Sequence, residues 1–275
     1  MRVALIGFGE VGRTLADDLA GKAELAAWDI AVAPGHPAVR AAASAPDAVR
    51  GAELVISAVT ADQDLPAARS VGQLDGAFFL DLNSCSPGQK VASAEVVEAA
   101  GGRYVEAAVM SPIGPRRIAS PMLLGGPHAQ DFLEAAGGLG FAGASAYSEV
   151  IGRAAATKLC RSVMIKGVEA LLTESMLAAR HYGVEQVVLD SLGDLLPLPD
   201  WNRTAQYMIS RSLEHGTRRA EEMREAARTV EEAGVPAPMS HAIAERQDWA
   251  SRRRAALSPD LLAMLDGVIA RLDPK

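Results

Sequence analysis

The first twelve residues constrain this chain more than any other stretch. Met1 to Ile6 reads as a short buried strand, and it runs into Gly7-Phe8-Gly9-Glu10-Val11-Gly12 and then a helix-forming segment, Arg13 to Ala20. A strand, a G-x-G-x-x-G turn and a helix make a dinucleotide-binding fingerprint, in which each glycine has a separate task. Gly7 permits the tight turn, Gly9 lets a pyrophosphate approach the backbone, and Gly12 lets the helix pack close to the strand. The helix start turns its unsatisfied N–H groups toward the phosphates. A structural turn would also use glycine, so a second feature matters. Glu24 to Trp28 reads as the next strand, and Asp29 stands at its end, 17 positions after Gly12. A carboxylate there can accept from the 2′- and 3′-hydroxyls of an adenosine ribose and would repel a 2′-phosphate. The expected cofactor is NAD, with NADP disfavoured.

The rest of the chain is consistent with an enzyme of small molecules. At 275 residues it has room for two domains, and 49% of the residues are apolar, enough for sizeable cores. A formal net charge of −7 argues against nucleic acid or an anionic membrane surface as the main partner. The two cysteines, Cys85 and Cys160, lie far apart without metal-ligand spacing, as expected of a reduced, cytoplasmic protein. The beginning does not resemble a signal peptide, and no apolar run reaches the roughly 18 residues of a membrane span. His36, His128, His181, His215 and His241 show no paired spacing, so no metal is expected.

Up to residue 150, apolar runs alternate with alanine-rich helical stretches. Strands are predicted at Arg2–Ile6, Glu24–Trp28, Glu53–Val59, Ala77–Leu82, Arg103–Met110 and Met122–Gly125, with a weaker one at Ala144–Ser148. Helices are predicted at Glu10–Ala20, Gln63–Gly72, Pro87–Ala100 and Ala129–Gly137. This alternation predicts a parallel sheet covered on both faces, with ligands outside the carboxyl ends of its strands. After Gly152 the pattern becomes helical throughout. Arg153 to His181 reads as one long helix stopped by Gly183, with later breaks at Pro197, Pro199, Gly216, Gly234 to Pro238 and Pro259. The expected organisation is an α/β dinucleotide-binding domain, 1–150, and an all-helical domain, 151–275, joined by a long connecting helix, 151–182. Arg252-Arg253-Arg254 and the Arg218/Glu222 and Glu221/Glu225/Arg228 charges read as solvated helix faces.

Three segments after strands are expected to face the crevice. They are Val59-Thr60-Ala61-Asp62-Gln63, Asp81-Leu82-Asn83-Ser84-Cys85-Ser86-Pro87 and Val109-Met110-Ser111-Pro112-Ile113-Gly114. Ser86-Pro87 reads as a helix cap, and Asn83 and Ser84 as hydrogen-bonding groups near a nicotinamide or its ribose. Lys158 shares a helical stripe with Ala154, Ser162, Ile165 and Leu172. A lysine partly buried on such a stripe suits proton transfer near neutral pH.

Taken in order, these segments resemble the β-hydroxyacid dehydrogenase family, which includes 3-hydroxyisobutyrate dehydrogenase and the cofactor domain of 6-phosphogluconate dehydrogenase. Gly7 to Gly12 resembles the family's glycine motif, and Asp81-Leu82-Asn83-Ser84 its nicotinamide segment. Glu106-Ala107-Ala108-Val109-Met110-Ser111 occupies the place of its substrate segment, and Gly152 with Lys158 the place of its catalytic-lysine helix. The resemblance implies a Rossmann-type domain, an NAD(H)-dependent interconversion of a small hydroxy acid and its oxo acid, Lys158 as general acid/base, and a homodimer. It implies substrate contacts from Met110, Ser111, Pro112, Arg161 and Ser162, and cofactor contacts from the glycine loop, Asp29, Val59, Thr60, Asn83 and Ser84. This chain departs from the family at Met110, at Ser111-Pro112, and at Arg161 and Ser162, where asparagines are usual, and its C-terminal part resembles a divergent branch. Trp201, Arg203 and Tyr207 are candidates to close the site. An imine or pyrroline-type reductase, often NADPH-dependent and generally without the glycine-to-lysine motif, is one alternative. A non-catalytic NAD(H)-binding protein is the other.

Overall fold

A computed structural model describes residues 1–196 and 200–272. The breaks expected at Pro197 and Pro199 lie outside the described residues. The chain divides into two compact units, Met1–Leu159 and Cys160–Lys275.

The first unit is built on one sheet of eight strands: β1 (Arg2–Ile6), β2 (Glu24–Trp28), β3 (Val39–Ala41), β4 (Leu54–Ser57), β5 (Phe78–Asp81), β6 (Arg103–Val109), β7 (Met122–Gly125) and β8 (Ala144–Ser148). Their order is β3-β2-β1-β4-β5-β6-β7-β8. Pairing from β3 to β6 is parallel, whereas β7 runs antiparallel to β6 and carries β8 parallel to itself. The all-parallel expectation therefore fails at one edge. Only short helical turns, Ile113–Arg116 and Arg117–Ala119, separate β6 from β7, and a parallel return needs a longer crossover.

Helices α1 (Glu10–Leu19), α2 (Ala45–Val49), α3 (Asp64–Ser70), α4 (Pro87–Ala99), α5 (Ile113–Arg116) and α6 (Ala129–Ala135) complete this unit, together with the start of α7 (Arg153–Tyr182). Side chains alternate across β1, so Val3 and Leu5 join one core with Leu15, Leu19 and Phe132, while Ala4 and Ile6 join another with Val49, Ala68 and Val97. A strand buried on both faces must be apolar at every position, which is why it reads as a continuous run. Val39–Ala41 and Ala45–Val49 escaped the sequence pattern because both are short. The local signals are confined to α2: Ser44, whose hydroxyl accepts from Asp47 N at 3.2 Å and caps the helix, and Pro46 in its first turn.

The second unit holds the rest of α7 with α8 (Glu185–Leu195), α9 (Trp201–Glu232), α10 (Pro238–Ser251) and α11 (Leu261–Ile269). Its core gathers Leu172, Met176, Ile209, Leu213, Met264 and Leu265. Gly216 does not break a helix, contrary to expectation: α9 runs through it. A Cβ at that position would lie 2.3 Å from Gln247 O of α10, so the glycine exists to let the two helices touch. Two charge readings also change. Arg253 is buried, its guanidinium 3.8 Å from the Trp249 ring centroid and donating to Trp249 O. Glu225 is buried as well, paired with Arg228 at 2.7 Å. Among the described residues, no helix is long and apolar enough to cross a membrane.

Candidate active site

Two of the three glycines in the turn are sterically required. Gly7 has φ +96°, and a Cβ there would meet Ala58 O at 2.3 Å. A Cβ on Gly12 would meet Gly7 O at 2.2 Å. Both positions exclude any side chain. Gly9 differs, having nothing within 4 Å, and it caps α1 without a side-chain hydrogen bond. Open space in front of uncapped N–H groups fits a phosphate. Phe8 is buried in the core, so only its backbone faces the loop, while Val11 packs against that core and Glu10 is exposed.

Asp29 is tied to this loop. One carboxylate oxygen accepts from Phe8 N at 2.6 Å, the other from Ala31 N at 2.8 Å and Val32 N at 2.9 Å. Burial opposes its charge, but these three donors outweigh it and hold the carboxyl below its usual range. A carboxylate has about four acceptor positions. With three used here, one is left for a ribose hydroxyl.

The loops after the strands are laced together sideways. Asn83 Oδ1 accepts from Val59 N at 2.7 Å, and its Nδ2 donates to Ser57 Oγ at 2.9 Å and Asp64 Oδ1 at 2.7 Å. Both amide donors are thus spent inward, and Asn83 is buried. The expectation that it presents its amide to the cofactor gives way to a structural one: it holds the β4 and β5 ends together. Thr60 turns its hydroxyl to Asp62 at 2.5 Å. Cys85 is buried, with Sγ 3.5 Å from Ala61 O.

Ser84 is the outward group of the segment, and it receives a hydrogen bond from Lys158 Nζ at 2.5 Å. Lys158, half-buried on α7, lines a small cleft with Ser84, Lys90, Glu106, Ala108 and Ala155. The cleft lies at the carboxyl ends of β5 and β6, the side on which ligands bind in open α/β sheets.

Below it is a set of buried charges that local pattern did not disclose. Lys90 Nζ lies 2.6 Å from Asp81 Oδ1 and 3.8 Å from Asp64 Oδ1. Tyr104 donates to Asp81 Oδ2 at 2.6 Å, and Ser93 to Asp64 Oδ2 at 2.7 Å. Burial and the Asp64 charge push the Asp81 carboxyl up to about 7, against the pull of Lys90. Glu106 is also buried and is raised by burial, while N–H groups of Ala155 and Gly152 pull it back.

The remaining expected residues are spread more widely. Ser111 Oγ donates to Pro112 O at 3.2 Å, with Pro112 exposed and Met110 half-buried. Arg161 and Ser162 fall in the second unit; Arg161 is exposed, and Ser162 is buried, accepting from Lys166 Nζ at 3.1 Å. Trp201 is a core residue of that unit, its indole donating to Leu196 O, which removes it as a closing group. Arg203 and Tyr207 are exposed.

A mostly parallel sheet with this glycine turn, followed by a helical unit, is the fold of the 3-hydroxyisobutyrate dehydrogenases. A conserved hypothetical protein from Sinorhizobium meliloti is 34% identical, over 99% of this chain and 97% of its own, with a TM-score of 0.79. A second conserved protein of unknown function, described as structurally similar to 3-hydroxyacid dehydrogenases, is 28% identical over 97% of this chain and 99% of its own, with a TM-score of 0.72. The Mycobacterium tuberculosis 3-hydroxyisobutyrate dehydrogenase with L-serine shares the fold at 21% identity, over 99% of this chain and 100% of its own, TM-score 0.70. The Streptomyces aurantiacus imine reductase shares it at 19% identity, over 98% and 99%, TM-score 0.57. Residues 179–250 match a domain of unknown function, DUF1932. The chain is therefore a relative of the Sinorhizobium meliloti protein and has the fold of the 3-hydroxyisobutyrate dehydrogenases.

Proposed function

We propose that this protein is an NAD(H)-dependent oxidoreductase that interconverts a small hydroxy acid and its oxo acid, with Lys158 as general acid/base. One observation carries the reading: an ammonium group, 2.5 Å from Ser84 Oγ, stands in the cleft at the carboxyl ends of β5 and β6, strands that run parallel to β1, whose own carboxyl end leads into the glycine turn. A bound nicotinamide supplies or accepts the hydride. The open Gly9 and the uncapped start of α1 would hold its pyrophosphate, and Asp29 its adenosine ribose. Asp29, kept ionised, would repel a 2′-phosphate, which favours NAD over NADP.

In oxidation, Lys158 as the neutral amine takes the proton from the substrate hydroxyl and becomes the ammonium; in reduction the ammonium returns that proton to the oxygen. Ser84 fixes the ammonium through its hydroxyl oxygen. Met110, Ser111 and Pro112, in the segment after β6, are assigned to substrate. Positioned proton transfer of this kind contributes about 10² to 10⁴-fold in rate.

Lys158→Ala should leave NADH binding, read by fluorescence titration, within about twofold while turnover falls by at least about 10²-fold. Turnover equal to that of the unaltered protein would remove the role. The substrate class is set by a screen of three- to six-carbon hydroxy acids and cyclic imines with NAD and NADP side by side. Activity only on imines would favour the reductase alternative, and tight NADH binding without turnover the non-catalytic one.

We also assign a homodimer. Met164, Ile165 and Leu171 on α7 and Val187 on α8 are 69%, 41%, 62% and 69% exposed, apolar surface that a second copy would cover. Light scattering on the eluting protein checks this.

A further inference from the structure

We infer that Glu106 is a positioning residue, its carboxylate anchoring the first turn of α7 to the sheet and so fixing Lys158. This inference rests on the function proposed for Lys158. Glu106 sits mid-strand in β6, fully buried, with apolar Ala107 and Ala108 after it. A carboxylate in such a place is costly unless its oxygens are satisfied. Here both are. Oε2 accepts from Gly152 N at 2.7 Å and Oε1 from Ala155 N at 2.5 Å, two of the N–H groups that a helix start leaves without internal partners.

The surroundings are cut back to admit this contact. Gly125 faces Glu106 across the β6–β7 pair, and a Cβ there would lie 2.5 Å from Oε2. Gly152 has φ +91°, a conformation that side chains rarely adopt, and its missing Cβ would lie 3.0 Å from Pro87 Cβ. Lys158 is three residues beyond Ala155, about 4.5 Å further along the helix axis. Two oxygens on a rigid strand, bonded to two N–H groups of one turn, set both the height and the rotation of that turn. The register pairs Asp81 with Glu106, so adjacent strands carry the anchor of α7 and the segment that ends in Ser84. Lys158 and its partner are therefore held from one sheet. The residue was assigned above by resemblance to a substrate segment, but its carboxylate faces the helix start.

The test is Glu106→Gln, which keeps the shape and replaces one acceptor by a donor. Turnover should fall about tenfold or more while KM for NADH and for the acid changes less than about twofold, since a misplaced group costs rate rather than binding. The same change in a Lys158→Ala background should cost nothing further, because the two act as one unit. Losses that multiply would overturn the inference, as would unaltered turnover. A readout without substrate separates this from the proposed function. Hydrogen exchange at the Gly152 and Ala155 amides should speed up about tenfold or more in Glu106→Gln, the loss of a charge-assisted bond. Unchanged protection overturns the anchor whether or not the protein turns over any acid. If the protein proves inactive while protection is lost, the proposed function fails and the anchor stands. Should Glu106→Gln not fold, Glu106→Asp, which withdraws the charge by one methylene, is read in the same way.

Discussion

Replacing Lys90 by methionine should destabilise the first unit more than any change on its surface. Lys90, Asp81 and Asp64 are all within 1% of full burial, and the ammonium, 2.6 Å from Asp81 and 3.8 Å from Asp64, balances two carboxylates. Methionine fills similar volume and removes only the charge. Breaking a buried pair from one side costs about 3–5 kcal/mol, because the remaining charge has no compensation. For a unit of this size each kcal/mol lowers Tm by about 2–4 °C, so the shift should be ~6–20 °C. The penalty should also depend on pH. Asp81 is an acid whose folded pKa, about 7, lies above its unfolded 3.8. The folded state then keeps a proton that the unfolded chain gives up, and this stability is present at low pH and lost as pH rises through about 7. Removing Lys90 pushes Asp81 higher still. Below about pH 7 Asp81 is protonated in both proteins and the penalty is at its smallest. Above it, the penalty grows by roughly 1.4 kcal/mol per pH unit. Calorimetry from pH 5 to 8, with hydrogen exchange at Phe78–Asp81 identifying the unit that melts, measures both arms. A cost under about 1 kcal/mol at pH 8, or one independent of pH, would refute the argument.

Two other substitutions test single contacts. Gly216→Ala should destabilise the helical unit by about 1–3 kcal/mol through overpacking against Gln247 O, despite alanine's better helix propensity; a rise in Tm would show that α9 and α10 can separate without cost. Asp29→Asn should shift the NADPH-to-NADH binding ratio toward NADPH by about tenfold, the equivalent of roughly 1.4 kcal/mol of lost repulsion; an unchanged ratio would mean that the carboxylate does not select the cofactor.

What the sequence made legible, and what it hid, follows from the range of the forces involved. Gly7 and Gly12 are readable because their constraint is local: backbone lies 2.3 and 2.2 Å from where a Cβ would stand, so the residue type reports the geometry directly. The alternation of buried strands and helices is local in the same sense. Asn83 is ambiguous in the sequence because a polar residue after a strand can serve a ligand or a neighbouring loop, and its amide's partners include Val59 N, 24 positions away. Gly216 shows the same ambiguity, since glycine can stop a helix or let two helices meet. Lys90, Asp64 and Asp81 come from α4, α3 and β5, and their convergence is fixed by the sheet order, which no short window contains.

That hidden network has a physical reason for lying where it does. Strands that end at a cofactor crevice leave backbone groups and loops which must stay open to a ligand and yet not collapse. Here the loops are held from behind. Gly7 N donates to Trp28 O, Gly7 lies against Ala58, Asn83 accepts from Val59 N, and Asp81 accepts from Asn83 N at 2.9 Å. Asp81 is in turn fixed by Lys90 and Tyr104. These bonds use neither the open position at Gly9 nor the Ser84 hydroxyl. A carboxylate or ammonium is better suited to this than an apolar side chain, because only a group with several strong acceptors or donors can bind loops from different strands at once. The cost in desolvation is met only while every member is paired, which is why loss of one cation beneath the site should reach the loops above it.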